Sequence, residues 1–247
     1  MSPGAADAAE ARLVLLRCAT AVLGDAVTVD DVARAALECA VDIEGMVRAG
    51  LAISECAGRA LRFVASDGGV LGPGGVRWCE IDGLADVPLA RTVRTGAAVL
   101  VASSKDLAAR YPRLATQESW RAVHRTAALP LVVDDQILGG LLLTYGEEGA
   151  FEAGERAFLD AFAALVAQAL RRGLAYQVQQ ANSELLQRSL MRSPCRSSTG
   201  WRWARTTSRV GSEPTWEATG TTSSSWRTAQ SPWPWATSWE RACRRRS

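Results

Sequence analysis

His124 is the only histidine of the chain, so a Ser-His-Asp triad, a Cys-His pair or a histidine-rich metal centre would each depend on that one residue. The six cysteines, Cys18, Cys39, Cys56, Cys79, Cys195 and Cys243, are scattered, with no two at Cys-x-x-Cys spacing. That is neither a zinc pattern nor a disulfide framework, and buried thiols are expected. Gly72-Pro73-Gly74-Gly75 reads as a turn, because no lysine followed by serine or threonine comes after it at phosphate-loop spacing. Trp78, Cys79, Trp120 and His124 fall in segments that would line a small pocket, where aromatic rings stack on a planar molecule. Ordinary core and rim packing is the alternative for all four. No residue is assigned as catalytic or as a metal ligand, and the pocket's ligand and contacts are left open.

Elements that would position these groups follow from periodicity. Residues 8–23 read as a helix with Leu13, Leu16, Ala19, Val22 and Leu23 on one face. A second helix runs over 29–42, with Thr28 as N-cap and Asp31 completing a capping box. Val47, Ala49, Leu51 and Ile53 share one face of a strand, followed by a polar turn over 55–59 and a strand over 61–65. Residues 66–75 read as loop and 76–81 as a short third strand. Asp86 is expected to cap a short helix with Pro88 in its first turn and Gly96 at its end. A strand over 98–102 and helical segments over 105–110 and 117–123 come next. Ala127–Val133 and Gln136–Thr144 form the clearest hairpin, turning at Asp134-Asp135. A long helix begins near Glu152, with Phe158, Phe162, Val166 and Leu170 on its apolar face. Beyond Arg172, Leu174, Val178, Ala181 and Leu185 continue at four-three-four spacing, a short coiled-coil seam. Packing of that helix on its own domain is the alternative.

The composition breaks after Met191. Residues 192–247 hold seven of the nine tryptophans and no leucine, isoleucine, phenylalanine or tyrosine. They carry ten arginines against Glu213, Glu217 and Glu240, or 10 − 3 = +7, so the rest carries 18 − 23 = −5 within the total of +2. A basic arm for nucleic acid, or a disordered polar tail, would explain the charge but not the tryptophans. Off-frame reading of GC-rich DNA explains the whole composition. Shifted by one base, Thr215–Thr222 permits D-V-G-G-D-W-Y-D, and the stretches from Ser193 and from Trp226 permit strings with alternating apolar residues and Asp-Gly turns.

Two resemblances rest on these residues. The segment Val87-Pro-Leu-Ala-Arg-Thr-Val-Arg-Thr-Gly96 with Ala97-Ala-Val-Leu-Val101, and the hairpin Ala128-Leu-Pro-Leu-Val-Val-Asp-Asp-Gln-Ile-Leu-Gly-Gly-Leu-Leu-Leu143, resemble a GAF domain over about residues 11–172. This implies an antiparallel sheet, with the first and last helices on one face and a ligand pocket on the other. The asparagine-lysine-phenylalanine-aspartate-glutamate pattern of cyclic-nucleotide GAF domains is absent, and no Cys-His pair suggests bilin or haem attachment. The frame-shifted strings resemble bacterial metal-dependent serine/threonine phosphatases of the sporulation and stress-response type, as does the in-frame Leu186-Gln-Arg-Ser-Leu-Met191. In that family, aspartates in such strings hold two metal ions, Mn²⁺ or Mg²⁺. Thr215, Thr219 and Thr237 stand in their places here, and a threonine hydroxyl cannot replace an anionic oxygen ligand.

The chain is therefore read as α+β: an N-terminal extension (1–10), a GAF-like sensor (11–172), a helical coiled-coil linker (173–191), and a disordered, frameshifted and truncated phosphatase remnant (192–247). The expected function is small-molecule sensing and homodimerisation through the linker, without catalysis in this chain. Three alternatives stand beside it: an active metal-dependent phosphatase with the frame restored, a binding protein whose Arg/Trp tail contacts nucleic acid, and a non-sensing dimer scaffold. The acidic start lacks a secretory pattern, and the longest uncharged apolar run, near Ile137–Tyr145, is too short to span a bilayer. A cytoplasmic location is expected.

Overall fold

A computed structural model describes residues 3–67, 76–116 and 120–191 of the chain. The tail and its three threonines lie outside the described residues, as does the Gly72–Gly75 turn.

Six antiparallel strands form one sheet. The strands are β1 (Met46–Glu55), β2 (Ala60–Asp67), β3 (Cys79–Asp82), β4 (Val99–Val101), β5 (Arg125–Val133) and β6 (Gln136–Tyr145). Their order across the sheet is β3-β2-β1-β6-β5-β4. The hairpin from β5 to β6 turns at Asp134 and Asp135, both with positive φ, 48° and 61°. Short polar side chains tolerate that left-handed conformation, which matches the twist of the flanking strands.

Helices α2 (Val29–Val41) and α6 (Ala153–Met191) cover one face of this sheet, and α1 (Pro3–Asp25) packs against both of them. Alternation on the strands feeds their core: Ala49, Leu51 and Ile53 from β1, Ala127, Leu129 and Leu131 from β5, and Leu141, Leu143 and Tyr145 from β6. Phe158, Phe162, Val166 and Leu170 of α6 close it, all buried as the sequence led us to expect. The capping box at α2 is formed in full. The Thr28 hydroxyl accepts from the Asp31 N–H at 3.1 Å, and the Asp31 carboxylate accepts from the Thr28 N–H at 3.0 Å.

Several local expectations are corrected. A register shift between Met46 and Arg48 breaks the alternation at Val47, so Met46 packs against the helix-side core instead. Val87, not Asp86, is the N-cap of α3 (Pro88–Thr95), and it gives no side-chain cap; Pro88 at the first position needs none, having no N–H to satisfy. A short helix α5 (Pro112–Ala115) follows α4 (Ser104–Arg110) directly, begun by Pro112; of the helical segment expected over 117–123, residues 117–119 lie outside the described residues and 121–123 are turn and coil. Cys39 is buried, but Cys18 and Cys56 are exposed, since each falls on a solvent-facing position of its element. On α1, Ala19 and Leu23 are buried, whereas Leu13 and Val22 face outward.

Candidate functional site

The second face of the sheet is where a pocket is expected, and α3 decides its shape. Leu89, Thr92 and Val93 form the buried side of this helix. They lie hard against β6 because Gly140 leaves room: a Cβ there would meet Leu89 Cδ1 at 2.8 Å and Val93 Cγ2 at 3.0 Å. The Thr92 hydroxyl donates to the Ala128 carbonyl of β5 at 3.1 Å, which ties helix to strand. Gly96 then ends α3 in the left-handed region, at φ 68°.

Under α3 the floor is apolar, made of Ala52, Leu61, Ala128 and Leu142. Beside it a smaller cluster of Val101, Leu107, Tyr111, Leu114 and Val123 joins β4 to α4 and α5. Trp120 packs against both clusters and so bridges them. Two buried hydroxyls on this side, those of Tyr111 and Thr126, have no protein hydrogen-bond partner. Thr126 belongs to this side because its neighbour Ala127 points into the opposite core.

The four residues expected to share a pocket do not all meet. Cys79 and Trp120 both pack against the cluster beneath α3, and the Cys79 thiol donates to the Phe63 carbonyl at 3.4 Å. Trp78 is on the other face: its indole N–H donates to Asp30 of α2 at 2.7 Å, and the Arg62 guanidinium lies 4.8 Å over its ring. Trp78 stands immediately before β3, and successive residues of extended chain point to opposite faces, so it separates from Cys79. His124 is half-buried at the start of β5, with its backbone N–H on the Tyr145 carbonyl at 2.9 Å. The Glu148 carboxyl is held below its usual range first by hydrogen bonds from Ser104, and then more weakly by His124. Tyr111 and Thr126 escaped the sequence reading, although a tyrosine before proline and a lone threonine opening an apolar strand were available signals.

This face carries a phenol, an alcohol, a thiol and an indole beside apolar clusters, the mixture of groups that pockets for partly apolar molecules use. Among the described residues no group of three His, Cys, Asp or Glu side chains is placed to hold a metal ion.

The sequence profile of the GAF domain matches residues 26–171. The chain belongs to the GAF domain family. Solved structures agree in fold. The GAF domain of a phosphoenolpyruvate-protein phosphotransferase from Coxiella burnetii superposes with a TM-score of 0.56 at 16% identity, covering 69% of this chain and 98% of that one. The corresponding Acinetobacter domain gives 0.52 at 12% identity, over 66% and 95% of the two chains. Free methionine-R-sulfoxide reductase from Neisseria meningitidis, solved with its substrate, gives 0.52 at 16% identity, over 68% and 92%. No curated protein matches the chain. GAF domains are sensory and regulatory modules that often bind small molecules and dimerise, and the α3 face is where this one has an apolar floor with unpartnered polar groups. No described helix is long and apolar enough to cross a membrane.

Proposed function

We propose that this chain is the sensor of a GAF-linked serine/threonine phosphatase, with a helical output and no working catalytic module. One observation carries the reading: α6 is a single helix of 39 residues that begins inside the domain core and runs past it. Its first half is anchored by Phe158, Phe162, Val166 and Leu170, whereas Val178, Leu185 and Leu186 are 61%, 62% and 65% exposed. A ligand that shifts α3 against β5 and β6 would load the same sheet on which α6 rests, and a stiff helix transmits that shift outward.

The exposed apolar positions of α6 fit self-pairing with a second copy. Sedimentation of the full chain tests this. A dimer in the wild type and a monomer for Val178→Glu/Leu185→Glu supports the reading; identical sedimentation of the two sinks it.

The phosphatase parent rests on the tail. Residues 192–247 hold no aspartate, so the aspartate ligands that the resemblance implies for a two-metal phosphatase are absent from this stretch. The residues present do not fit such a centre, and no hydrolytic step is assigned to this chain. Re-reading the DNA around the Met191 codon is the test: codons incompatible with the shifted strings would refute the frame change. Expression with the frame restored should yield manganese-dependent phosphoserine hydrolysis, and its absence from a folded product would argue against a phosphatase parent.

A further inference from the structure

Helix α6 leaves the domain through three consecutive residues, each held by a different element. The Arg171 guanidinium is bonded to the Asp134 carboxylate at the tip of the β5–β6 hairpin. Arg172 donates from Nη2 to the Leu23 carbonyl in the last turn of α1 at 2.8 Å. Carbonyls there lack helical partners, and a cation suits the negative end of the helix dipole. Gly173 meets the start of α2: a Cβ there would stand 3.1 Å from the Val29 nitrogen and 3.2 Å from the Thr28 carbonyl carbon. From Ala175 to Gln187 every residue is exposed, so the packed part of α6 ends at Leu174.

We propose that Gly173 is the hinge of the output helix, and that the Asp134–Arg171 pair is the tie through which the sheet sets its direction. This rests on the helical output proposed above and adds the residues that govern it. It does not require two chains to pair.

The helix is least stiff at this point. Apart from Gly154 in the first turn, Gly173 is the only glycine of α6, and glycine is the poorest helix former after proline. Packing explains why glycine stands there, since its neighbours are backbone atoms that cannot yield. The same missing side chain leaves the backbone free to bend where the helix enters solvent. The surrounding holds differ in strength. Leu170 and Gly173 are buried, and the Arg172 bond is part-buried. Arg171 and Asp134 are 53% and 73% exposed, and an exposed ion pair is weak and screened by salt. The buried contacts form a pivot, and the exposed pair is the contact that can be released.

The hairpin tip is also joined to α3. Gly96, at the end of α3, lies against Ile137: a Cβ on Gly96 would meet Ile137 Cδ1 at 3.2 Å. Just inside Ile137 the ladder slips. Leu131 pairs with Gly139 but Val132 pairs with Ile137, so Leu138 has no residue opposite it. The outer end of the hairpin is thereby a short unit of its own. Ile137 of this unit touches α3, and Asp134 holds α6. A displacement of α3 has a path to Arg171 that bypasses the core.

Distances between spin labels test the proposal. Labels are attached through p-acetylphenylalanine, which leaves the cysteines untouched. Labelled chain is diluted in excess unlabelled chain, so that only distances within one chain are read. Glu38 on α2 is the fixed site, paired with Ser183 beyond the hinge or with Asp160 before it; all three are exposed. Ser183 lies ten residues past Gly173, about 15 Å along the helix, so a bend of about 20° moves it by about 5 Å. Asp134→Ala, Arg171→Ala and molar salt on the wild type should each shift or broaden the Glu38–Ser183 distance on that scale. The Glu38–Asp160 distance and the near-ultraviolet circular dichroism should stay unchanged. Thr92→Val, which removes the α3–β5 bond, should move the Glu38–Ser183 distance in the wild type but not in Arg171→Ala. That comparison separates a relay from a contact that is only structural. Three results would overturn the proposal: a Glu38–Ser183 distance indifferent to loss of the pair, a Glu38–Asp160 distance that moves as far, or a Thr92→Val effect that persists without Arg171. Dimerisation is reported separately by sedimentation, so failure of one reading is distinguishable from failure of the other.

Discussion

The Trp78 indole N–H and the Asp30 carboxylate are joined across 2.7 Å, which pins the start of β3 to the first turn of α2. This bond places Trp78 on the helix-covered face and removes it from any pocket beneath α3. A double-mutant cycle on Asp30→Ala and Trp78→Phe should return a coupling of about 0.5–1.5 kcal/mol. The same cycle with Trp120→Phe in place of Trp78→Phe should return none, and a coupling there would misplace both rings.

The capping box makes α2 pH-sensitive. Thr28 donates to the Asp31 carboxylate from both its hydroxyl, at 2.6 Å, and its backbone. These bonds hold the Asp31 pKa below its ordinary 3.8. A depressed carboxylate contributes stability that is present above the unfolded value and lost as pH falls through the folded one. Asp31→Asn is therefore expected to be less stable than wild type at pH 7, with the gap closing below pH 3.8. Thr28→Ala should cost about 1 kcal/mol at pH 7 by urea unfolding. A gap that widened in acid would contradict the assignment.

Hydroxyls on the α3 face should divide by sign. Thr92 is bonded to Ala128, so Thr92→Val should destabilise by about 1 kcal/mol. Tyr111 and Thr126 have no protein partner, so Tyr111→Phe and Thr126→Val should be neutral or stabilising. If the α3 face takes a ligand through these groups, the same two substitutions should reduce any ligand-induced rise in melting temperature. Equal destabilisation by all three would mean that the orphan hydroxyls are satisfied.

Paired glycines in β6 should be intolerant for different reasons. A Cβ at Gly139 would lie 1.9 Å from the Ala52 carbonyl oxygen, which is backbone and cannot yield. At Gly140 the neighbours are the tips of Leu89 and Val93, which can shift. Gly139→Ala is expected to cost about 3 kcal/mol or more and Gly140→Ala less, at the price of moving α3. Chemical denaturation of both variants checks the order.

The sequence by itself determined the elements whose signals are local. The α2 capping box, the Gly96 stop, the Asp134-Asp135 turn and the apolar face of α6 each depend on residues a few positions apart, and all four are found. Strand alternation even sorted most core residues correctly, since side-chain direction has a period of two. Tertiary structure alone decided which side chains meet. Trp78 and Cys79 are neighbours in the chain and separated by a sheet, whereas Tyr111 and Thr126 reach the same face from different elements. The bulge at Val47 overrode a clean period-two pattern, because pairing with β6 sets that register. A cleft that Tyr145 helps to line was likewise invisible in the sequence: its acids come from two stretches far apart in the chain, 42–44 and 147–155, and only folding brings them together.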